Sequence, residues 1–374
     1  MIQDQEIVAI RSLASEHHAS HIVPTVFSIT WNLGKRCNYD CSYCPPTVHD
    51  WVSPHHPVES IKSFVGKLDN WMAQQNKTFR MIMTGGEPMV HPDILEILKT
   101  IRTAKNCSDQ LTMTTNGSLP IELYQKSLEW ITNLTISLHL ERSDQEIQKK
   151  LDLIVKLNSE FKDRWISVQI MCLPGKIQFI DKVIIPLFNA HQIKFTIRKI
   201  RPYTNDAVDE WQNLEKKQII KKEYPVEIQL QQKIKEKLNL QNTLEESWKP
   251  GNYYSADEIQ WLNGRAEQES VWQNIGVWTK ESQYFETNSD ILVANNKNRF
   301  TGWLCWIGID GIKIDFDGNI YKANCQTGGK IGNIAENFTF ATEPVTCQQQ
   351  WCISNADHII RKSHPAYSNL TTKN

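Results

Sequence analysis

The sequence predicts an α/β fold in which short strands alternate with amphipathic helices. Six β-branched runs recur between residues 26 and 200, separated by stretches of helical period. The strands are predicted at 26–31, Phe79–Met83, Gln110–Thr114, Leu134–Leu138, Ile166–Met171 and Lys194–Ile200. Alternation of this kind is typical of βαβ units that build a parallel sheet. Six units predict an open, partial (β/α)6 TIM-like barrel, in which ligands bind at the carboxyl ends of the strands.

The most informative stretch is a loop that follows the first predicted strand and carries three cysteines. Cys37, Cys41 and Cys44 are spaced by four and three residues. An iron–sulfur cube takes one thiolate for each iron, so three local thiolates leave one iron open to bind a ligand. A zinc site completed by a histidine is the alternative that spacing alone leaves open. The candidate histidines are His49, His55 and His56.

A second motif, Thr84-Gly85-Gly86-Glu87-Pro88, follows the second predicted strand. Its glycines let the backbone approach a ligand closely, and the carboxylate of Glu87 can accept hydrogen bonds from an ammonium group. Taken alone, a tight turn with an incidental glutamate explains the motif as well. Together, the cysteine loop and this turn resemble the radical S-adenosylmethionine (SAM) superfamily.

The resemblance implies a cluster, a cofactor and the residues that hold them. Cys37, Cys41 and Cys44 would bind a 4Fe–4S cluster whose open iron is chelated by the amino and carboxylate groups of SAM. Reductive cleavage of SAM would give methionine and a 5′-deoxyadenosyl radical that removes a hydrogen atom from the substrate. The residues implied beside SAM are Gly85, Gly86, Glu87, Pro88, Asn116, Ser137 and Arg198. A polar turn is the alternative role for Asn116. Arg198 could instead pair with an acidic substrate or form a salt bridge at the barrel end.

Two further side chains, those of Cys172 and His139, lie near the carboxyl ends of predicted strands. Cys172 ends the fifth strand, where a lone cysteine is a candidate hydrogen-atom donor or a buried apolar residue. Ser137 and His139 share one face of the fourth strand, because side chains alternate along a strand. His139 is therefore either substrate-facing or structural. Cys107 is predicted in a loop and unreactive.

The chain is predicted to have four parts. Residues 1–24 are a short helical N-terminal extension, and residues 25–202 are the radical SAM barrel. Residues 203–300 are rich in interleaved charges and are interpreted as an insertion, either a lid over the barrel mouth or a structural bridge. Residues 301–374 form a small α+β domain. The insertion contains an amphipathic helical stripe formed by Leu230, Ile234 and Leu238.

The last part combines a predicted β-hairpin with four cysteines. Residues 312–321 alternate around Asp317-Gly318, which is typical of a hairpin. The cysteines around it are Cys305, Cys325, Cys347 and Cys352. Four cysteines around one hairpin could bind zinc or a fully ligated 4Fe–4S cluster. Beside the radical SAM motifs, the segment resembles a twitch domain, a shortened SPASM domain, which implies one auxiliary 4Fe–4S cluster.

Composition restricts the class of protein. A net charge of −1 and a pI near 6.8 argue against a nucleic-acid partner. No apolar run reaches the roughly 18 residues of a transmembrane helix, and the N-terminus lacks a signal-peptide pattern. The nine cysteines favour metal ligation in a reducing cytoplasm over disulfides.

These observations lead to one main hypothesis and its alternatives. We expect a cytoplasmic radical SAM oxidoreductase or maturase whose auxiliary cluster supports net oxidation or cross-linking of a peptide. The resemblance also implies an electron donor such as flavodoxin or ferredoxin. A small-molecule dehydrogenase or an epimerase is the alternative within the superfamily. A non-catalytic iron–sulfur or zinc protein is the alternative from another class, and the glycine turn argues against it.

Overall fold

The fold is described by a computed structural model over most of the chain. It covers residues 6–12, 25–41, 43–44, 48–200, 254–268, 275–281, 283–352 and 354–367. The predicted amphipathic stripe of the insertion lies outside the described residues.

Fifteen strands and nine α-helices are described, besides two short 3-10 helices and a π-helical turn. The strands are β1 (Ile7–Ser12), β2 (Val26–Asn32), β3 (Thr78–Thr84), β4 (Cys107–Thr115), β5 (Asn133–His139), β6 (Trp165–Cys172), β7 (Lys194–Lys199), β8 (Ile275–Thr279), β9 (Tyr284–Thr287), β10 (Leu304–Cys305), β11 (Gly311–Ile314), β12 (Asn319–Tyr321), β13 (Lys330–Asn333), β14 (Val345–Thr346) and β15 (Lys362–Ser363). The helices are α1 (Val58–Gln74), α2 (Ile94–Arg102), α3 (Ile121–Ser127), α4 (Asp144–Glu160), α5 (Ile177–Phe179), α6 (Ile185–Ala190), α7 (Ala256–Gln268), α8 (Ser289–Ala294) and α9 (Asn355–His358).

Strands β2 to β7 are parallel and pair in chain order. Each of the six predicted strands is confirmed, with small shifts at the ends. The helices α1 to α6 fall in the connections between these strands. This arrangement is the predicted partial (β/α)6 barrel, and it brings the loops that follow the strands to one edge of the sheet.

The main core lies between the parallel sheet and its helices. Alternate residues of β2 point into it: Phe27, Ile29 and Trp31 are buried, whereas the residues between them are less so. The helices contribute apolar residues at three- and four-residue steps; Phe64 of α1, for example, packs edge-on against Trp31 at 5.3 Å between ring centroids. The opposite, concave face of the sheet carries mainly polar side chains, including Thr30.

The predicted hairpin is confirmed, and it extends the barrel sheet. β11 pairs in parallel with β2, and β12 and β13 follow it in antiparallel order. The turn places Gly318 at a φ of +75°, a conformation that glycine adopts at little cost. Asp315 accepts hydrogen bonds from the backbone N–H groups of Asp317 and Asn319 at 2.9 and 2.8 Å, which fixes the turn. The sheet order is β13-β12-β11-β2-β3-β4-β5-β6-β7.

The second sheet has six strands, in the order β14-β10-β15-β1-β8-β9. The prediction of a helical N-terminal extension is wrong for the described part, because Ile7–Ser12 forms a strand between β15 and β8. All six residues of this strand are buried, and three of them, Ile7, Val8 and Ile10, are β-branched residues that favour a strand. β8 and β9 come from the stretch predicted as an insertion.

Helix α7, also from the predicted insertion, lies against the last barrel strand. Tyr254, just before α7, accepts a hydrogen bond from the backbone N–H of Ile200 at 2.9 Å and donates one to the carbonyl of Cys172 at 2.6 Å. This end of the insertion therefore packs on the barrel core. None of the described helices combines the length and apolar character needed to cross a membrane.

Candidate active site

The three cysteines of the first motif lie in one loop directly after β2. Cys37 and Cys41 are buried, with 9% and 7% of their surface exposed, and Cys44 is half-buried. The backbone N–H of Cys37 donates to the carbonyl of Asp50 at 2.7 Å, and that of Cys44 donates to the carbonyl of Cys41 at 3.0 Å. The backbone N–H of Tyr39 donates to the Cys37 sulfur at 3.4 Å. These bonds fold the loop so that its thiols share one small cluster.

Burial disfavours the thiolate form of two of these cysteines, Cys37 and Cys41. Burial raises the pKa of the Cys37 thiol to about 11, with a smaller contribution from the charge of Glu87. Burial also raises the pKa of Cys41. The thiolate is the form that binds metal, so metal binding at this loop must displace protons.

The donor set fits an iron–sulfur cluster. Among the described residues, no three His, Cys, Asp or Glu side chains converge closely enough to hold a single metal ion. The thiolates of a four-iron cube bind different iron atoms, so they do not have to converge on one point. Cys37, Cys41 and Cys44 are therefore the residues that would hold such a cluster.

The histidines considered for a zinc site have partners other than cysteine. His49 Nε2 lies 3.1 Å from Asp40 Oδ1. His56 Nε2 lies 2.9 Å from the carbonyl oxygen of Phe316. The ring of His55 packs against another imidazole at 4.6 Å between centroids. Within the described residues these contacts give none of the three a place beside the cysteines.

The glycine turn after β3 is joined to the start of the cysteine loop, backbone against backbone. The N–H of Gly86 donates to the carbonyl of Gly34 at 2.8 Å. A Cβ at Gly86 would lie 2.3 Å from the carbonyl oxygens of both Lys35 and Arg36. A Cβ at Gly85, whose φ is +131°, would lie 2.7 Å from the oxygen of Gly34. Both glycines are thus needed for this close approach, whether or not a ligand also lies against them.

Glu87 is buried and joins three segments at the carboxyl ends of the strands. Its Oε1 accepts from the N–H of Met89 at 2.9 Å and from the hydroxyl of Thr115 at 2.7 Å, and its Oε2 accepts from the N–H of Asn116 at 2.5 Å. Its own N–H donates to the carbonyl of Arg36 at 2.8 Å. Burial raises the pKa of Glu87 although these donors oppose the shift. Oε2 has one protein donor and so keeps acceptor capacity for another.

Asn116 continues this network into the cysteine loop. Its Nδ2 donates to Asn38 Oδ1 at 2.9 Å and lies 3.9 Å from the sulfur of Cys37. Its Oδ1 accepts from the N–H of Ser118 at 3.0 Å, and Asn38 donates to the hydroxyl of Ser118 at 2.8 Å. The loop after β4 is therefore bonded directly to the residue that follows the first cysteine.

A buried cationic group beneath the loop has no counterpart in the sequence prediction. Lys150 of α4 is 4% exposed, and its Nζ donates to the hydroxyl of Tyr39 at 3.2 Å. Arg142 lies over the ring of Tyr39 at 4.5 Å and bonds Glu146 at 2.7 Å. Burial lowers the pKa of Lys150 to about 8, and the charges of Cys41 and Glu87 oppose that shift. Thiolates in the loop would therefore have a positive charge close by.

A sequence signal for this lysine exists but is weak. Position 150 falls three residues after Ile147 and four before Ile154, on the apolar face of α4. A lysine at such a position is buried only when its ammonium group reaches a polar partner.

Ser137, His139 and Arg198 lie on the concave face of the sheet. Their register supports this: Ser137 pairs with Gln169, and Met171 pairs with both His139 and Arg198. Residues paired in this way point to the same side of a sheet. The structure thus brings together three of the side chains predicted from sequence, on the face opposite the main core.

His139 contacts the cysteine loop. Its Nδ1 lies 3.4 Å from the sulfur of Cys41, and it bonds the hydroxyl of Tyr43. The rings of His139 and Tyr43 are stacked at 5.9 Å between centroids. Burial lowers the pKa of His139 to about 3, so the ring is neutral near pH 7. Of the two roles left open by the sequence, these contacts favour the structural one.

Cys172 lies on the other side of the sheet, away from the concave face. It is fully buried in the main core, and its Sγ contacts the carbonyl oxygen of Leu173 at 3.8 Å. Burial raises its pKa to about 12. This position argues against a hydrogen-atom donor and for the apolar alternative. Cys107 begins β4 instead of lying in a loop, and it is partly buried.

The four C-terminal cysteines lie around the core of the second sheet. They are Cys305, Cys325, Cys347 and Cys352. The backbone N–H of Cys347 donates to the carbonyl of Trp303 at 2.8 Å, and that of Cys352 donates to the carbonyl of Asn298 at 2.8 Å. Segments from three parts of the chain thus converge on this site.

As thiolates, these four sulfurs would interact with one another electrostatically. Cys305 interacts with Cys347 and Cys352, and Cys325 interacts with Cys347. Burial raises the pKa of Cys305 to about 12 and that of Cys352 to about 11. The carboxylate of Asp357 accepts from the N–H of Cys325 at 2.8 Å. Four thiols, of which three are buried and that of Cys325 is half-buried, would fit a four-iron cluster, because each thiolate binds a different iron atom.

Comparison with known proteins agrees with the barrel motifs. Residues 31–175 match the model of the radical SAM superfamily. A GTP 3',8-cyclase of Acaryochloris marina is 30% identical over 169 residues, which are 42% of this chain and 48% of that protein. A GTP 3',8-cyclase of Aliarcobacter butzleri is 25% identical over 235 residues, 60% of this chain and 67% of that protein. The chain spans about half of the length of the first of these relatives.

Solved structures give weaker likenesses. Streptococcus suis SuiB bound to S-adenosylmethionine aligns with a TM-score of 0.46 and 12% identity, over 82% of this chain and 63% of SuiB. The protein anSMEcpe with bound AdoMet aligns with a TM-score of 0.45 and 15% identity, over 84% of this chain and 79% of that one. These scores are too low to support an inference about this chain. The sequence match, the strand order and the joined motifs agree that this chain contains a radical SAM domain, at residues 31–175.

Proposed function

We propose that this protein uses its radical SAM domain to oxidise or cross-link a substrate, with a second cluster at its C-terminal cysteines. One observation carries the proposal: the glycine turn and the three-cysteine loop are bonded backbone to backbone at the carboxyl edge of the parallel sheet. A carrier or a structural metal site would need the cysteines but not this second segment beside them.

Cys37, Cys41 and Cys44 would hold the first 4Fe–4S cluster. With SAM bound beside it, such a cluster would supply the electron for cleavage of SAM to methionine and a 5′-deoxyadenosyl radical, the species that would remove a hydrogen atom from the substrate. The remaining positions proposed beside SAM are Gly85, Gly86, Glu87, Pro88, Asn116, Ser137 and Arg198.

The chain's own residues prepare this site. Glu87 and Asn116 fix the loops after β3 and β4, so that few groups have to reorganise when a ligand binds. The free acceptor capacity of Glu87 Oε2 is suited to an ammonium group such as that of SAM. Tyr39 packs over Cys37 and Cys41, and with Lys150 beneath it the ring limits the access of water to this side of the loop.

The C-terminal cysteines would supply the second redox site. A substrate that loses a hydrogen atom and then one electron is oxidised by two electrons in total, and a fully ligated cluster could accept the second. Cys305, Cys325, Cys347 and Cys352 provide four thiols for such a cluster, so every iron of a cube could have a protein ligand.

A peptide is the substrate that we propose, because the C-terminal cysteine pattern resembles the twitch and SPASM enzymes. A nucleotide is the second candidate, favoured by the relatives named GTP 3',8-cyclase. A dehydrogenase or an epimerase for another small molecule would use the same first site. Flavodoxin or ferredoxin is the class of electron donor that we propose.

Formation of 5′-deoxyadenosine by anaerobically reconstituted, reduced protein tests the proposal. We expect wild-type protein to form it and the Cys37→Ala variant to form none. Addition of GTP or of candidate precursor peptides should raise the rate for the true substrate. A wild-type protein that binds iron but never cleaves SAM would support the non-catalytic alternative.

A further inference from the structure

A buried lysine lies inside the C-terminal cysteine site. Lys362 of β15 is 1% exposed and is the register partner of Cys305 on β10. Its Nζ donates to the carbonyl of Ile360 at 3.0 Å and to that of Asp357, and it lies 5.3 Å from the ring of Phe300. All of its hydrogen-bond acceptors among the described residues are thus neutral carbonyl groups.

The cysteines beside Lys362 are those of the C-terminal site. Cys305 is its register partner, and Cys305, Cys352 and Cys347 would interact with it electrostatically as thiolates. Asp357 does so as well, but no carboxylate oxygen of the described residues lies within 4.0 Å of Lys362 Nζ. The cation is therefore not neutralised by a direct salt bridge within this part of the chain.

The carboxylate of Asp357 is occupied elsewhere. Its Oδ1 accepts from the backbone N–H and the side-chain amide of Asn324 at 2.9 and 3.0 Å, and its Oδ2 accepts from the N–H of Cys325. This carboxylate therefore fixes the loop that carries Cys325. Lys362 lies on β15, beside a different cysteine, Cys305 of β10.

A buried cation without a direct counter-ion is costly, and four neutral thiols do not offset that cost. Thiolates bound to a metal centre would offset the cost of burying the cation, because they carry negative charge. One-electron reduction of a 4Fe–4S cluster held by four cysteines adds one negative charge, and net charge near the cluster is among the factors that set its potential. A fixed cation stabilises the reduced form more than the oxidised form.

We propose that Lys362 is a positioning residue that balances the charge of the C-terminal cluster and raises its reduction potential. This inference rests on the proposed function, since it requires a cluster at these cysteines. It gives a role to a residue that is not a cluster ligand: the charge of Lys362 would set the reduction potential of the C-terminal cluster.

The test uses full-length protein in which Cys37, Cys41 and Cys44 are alanine, so that only the C-terminal cluster remains. Lys362→Gln removes the charge but keeps an amide that can donate to the two carbonyls. Lys313→Met is the matched control. Lys313 is also buried and lies in the same half of the chain, but its electrostatic partners are Asp357 and Asp315. The midpoint potential is measured by redox titration with electron paramagnetic resonance, beside the iron content.

We expect Lys362→Gln to shift the midpoint to lower potential, and by more than Lys313→Met does, with iron content retained. An unchanged midpoint would overturn the proposal. A Lys362→Gln chain that fails to fold would also overturn it, because the lysine would then be needed for the fold itself. If the parent variant binds zinc or no iron, the auxiliary cluster of the proposed function is wrong, which is a separate result.

Discussion

Glu87 and Asn116 join the ends of two neighbouring strands through a hydrogen bond of 2.5 Å between Oε2 and the backbone nitrogen. Both residues are buried, and Asn116 bonds onward to Asn38 in the cysteine loop. The glutamate of the glycine turn is therefore part of the framework of the site, whatever it also binds.

Replacing Glu87 with glutamine should destabilise the protein. The amide group of glutamine would turn one oxygen into a donor that faces N–H or hydroxyl donors, and at least one buried donor would lose its partner. We expect the free energy of unfolding to fall by about 1–3 kcal/mol. Urea denaturation followed by circular dichroism measures it. Glu129→Gln, at an exposed glutamate, is the control, and an equal effect in both variants would contradict the account.

Gly86→Ala should disturb the cysteine loop. The new Cβ would meet two backbone carbonyl oxygens at 2.3 Å, and backbone cannot move aside as a flexible side chain can. We expect a loss of about 1–3 kcal/mol of stability together with poorer iron incorporation. The control is Gly66→Ala in α1, where a Cβ has nothing within 4 Å and alanine favours the helix. Thermal unfolding and iron analysis of both variants test this prediction. A normal iron content in the Gly86→Ala variant would contradict it.

Arg361→Met should cost more than the loss of a surface ion pair. Arg361 Nε lies 3.0 Å from Asp310 Oδ2, both side chains are buried, and the carbonyl of Asp310 accepts a backbone hydrogen bond from Ser28 of the barrel sheet. Removal of Arg361 leaves the buried carboxylate of Asp310 with the more distant Lys77, whose Nζ lies 3.9 Å away, so we expect a cost of about 3 kcal/mol, at the low end for a broken buried pair.

The matched control for this pair is Arg102→Met, which breaks an exposed pair with Asp109 and should cost less than about 1 kcal/mol. Urea denaturation compares the two variants. Equal losses would mean that the buried pair does not hold the two sheets together.

Glu146 makes stability depend on pH in the acid range. Hydrogen bonds from Arg142 and Ser143 lower its pKa from 4.5 to about 2, so the unfolded chain binds the proton more tightly. Its contribution is therefore complete above about pH 4.5 and is lost as the pH falls towards 2. Glu146→Gln should flatten this part of the stability profile, measured by urea denaturation between pH 2 and 6. A mutant profile that runs parallel to the wild-type profile would refute the assignment.

Cys172→Ala should leave the chemistry intact. The thiol lies in the core behind the sheet, so it cannot reach a substrate on the concave face. We expect unchanged 5′-deoxyadenosine formation and a loss of stability of about 1 kcal/mol from the small cavity. Loss of solvent deuterium from the product of an otherwise active variant would restore Cys172 as a hydrogen-atom donor.

The sequence was sufficient for the elements whose pattern is local. The six barrel strands and the hairpin at Asp317-Gly318 have clear periods and turn residues, and all were found where predicted. β1 was missed although Ile7, Val8 and Ile10 are β-branched, because the run is short and its pairing partners β15 and β8 lie far along the chain. Long-range pairing of this kind cannot be read from a single window.

The site, too, has some features that are visible in the sequence and others that depend on the tertiary structure. The cysteines and the glycine turn are visible as spacings, and the structure gives a physical reason for both glycines. The buried cations Lys150 and Lys362 were missed because lysine is ordinarily a surface residue. The side of the sheet on which Cys172 lies depends on strand register, which the strand end alone does not reveal.

The most direct test of the central claim is iron content and SAM cleavage on anaerobically reconstituted protein. Wild type is compared with a Cys37/Cys41/Cys44→Ala variant and with a Cys305/Cys325/Cys347/Cys352→Ala variant. Two four-iron clusters predict about eight irons in the wild type and about four in each variant, with 5′-deoxyadenosine lost completely only in the first. Zinc at the C-terminal cysteines would contradict the auxiliary cluster, and iron-loaded wild type that never cleaves SAM would contradict the enzyme.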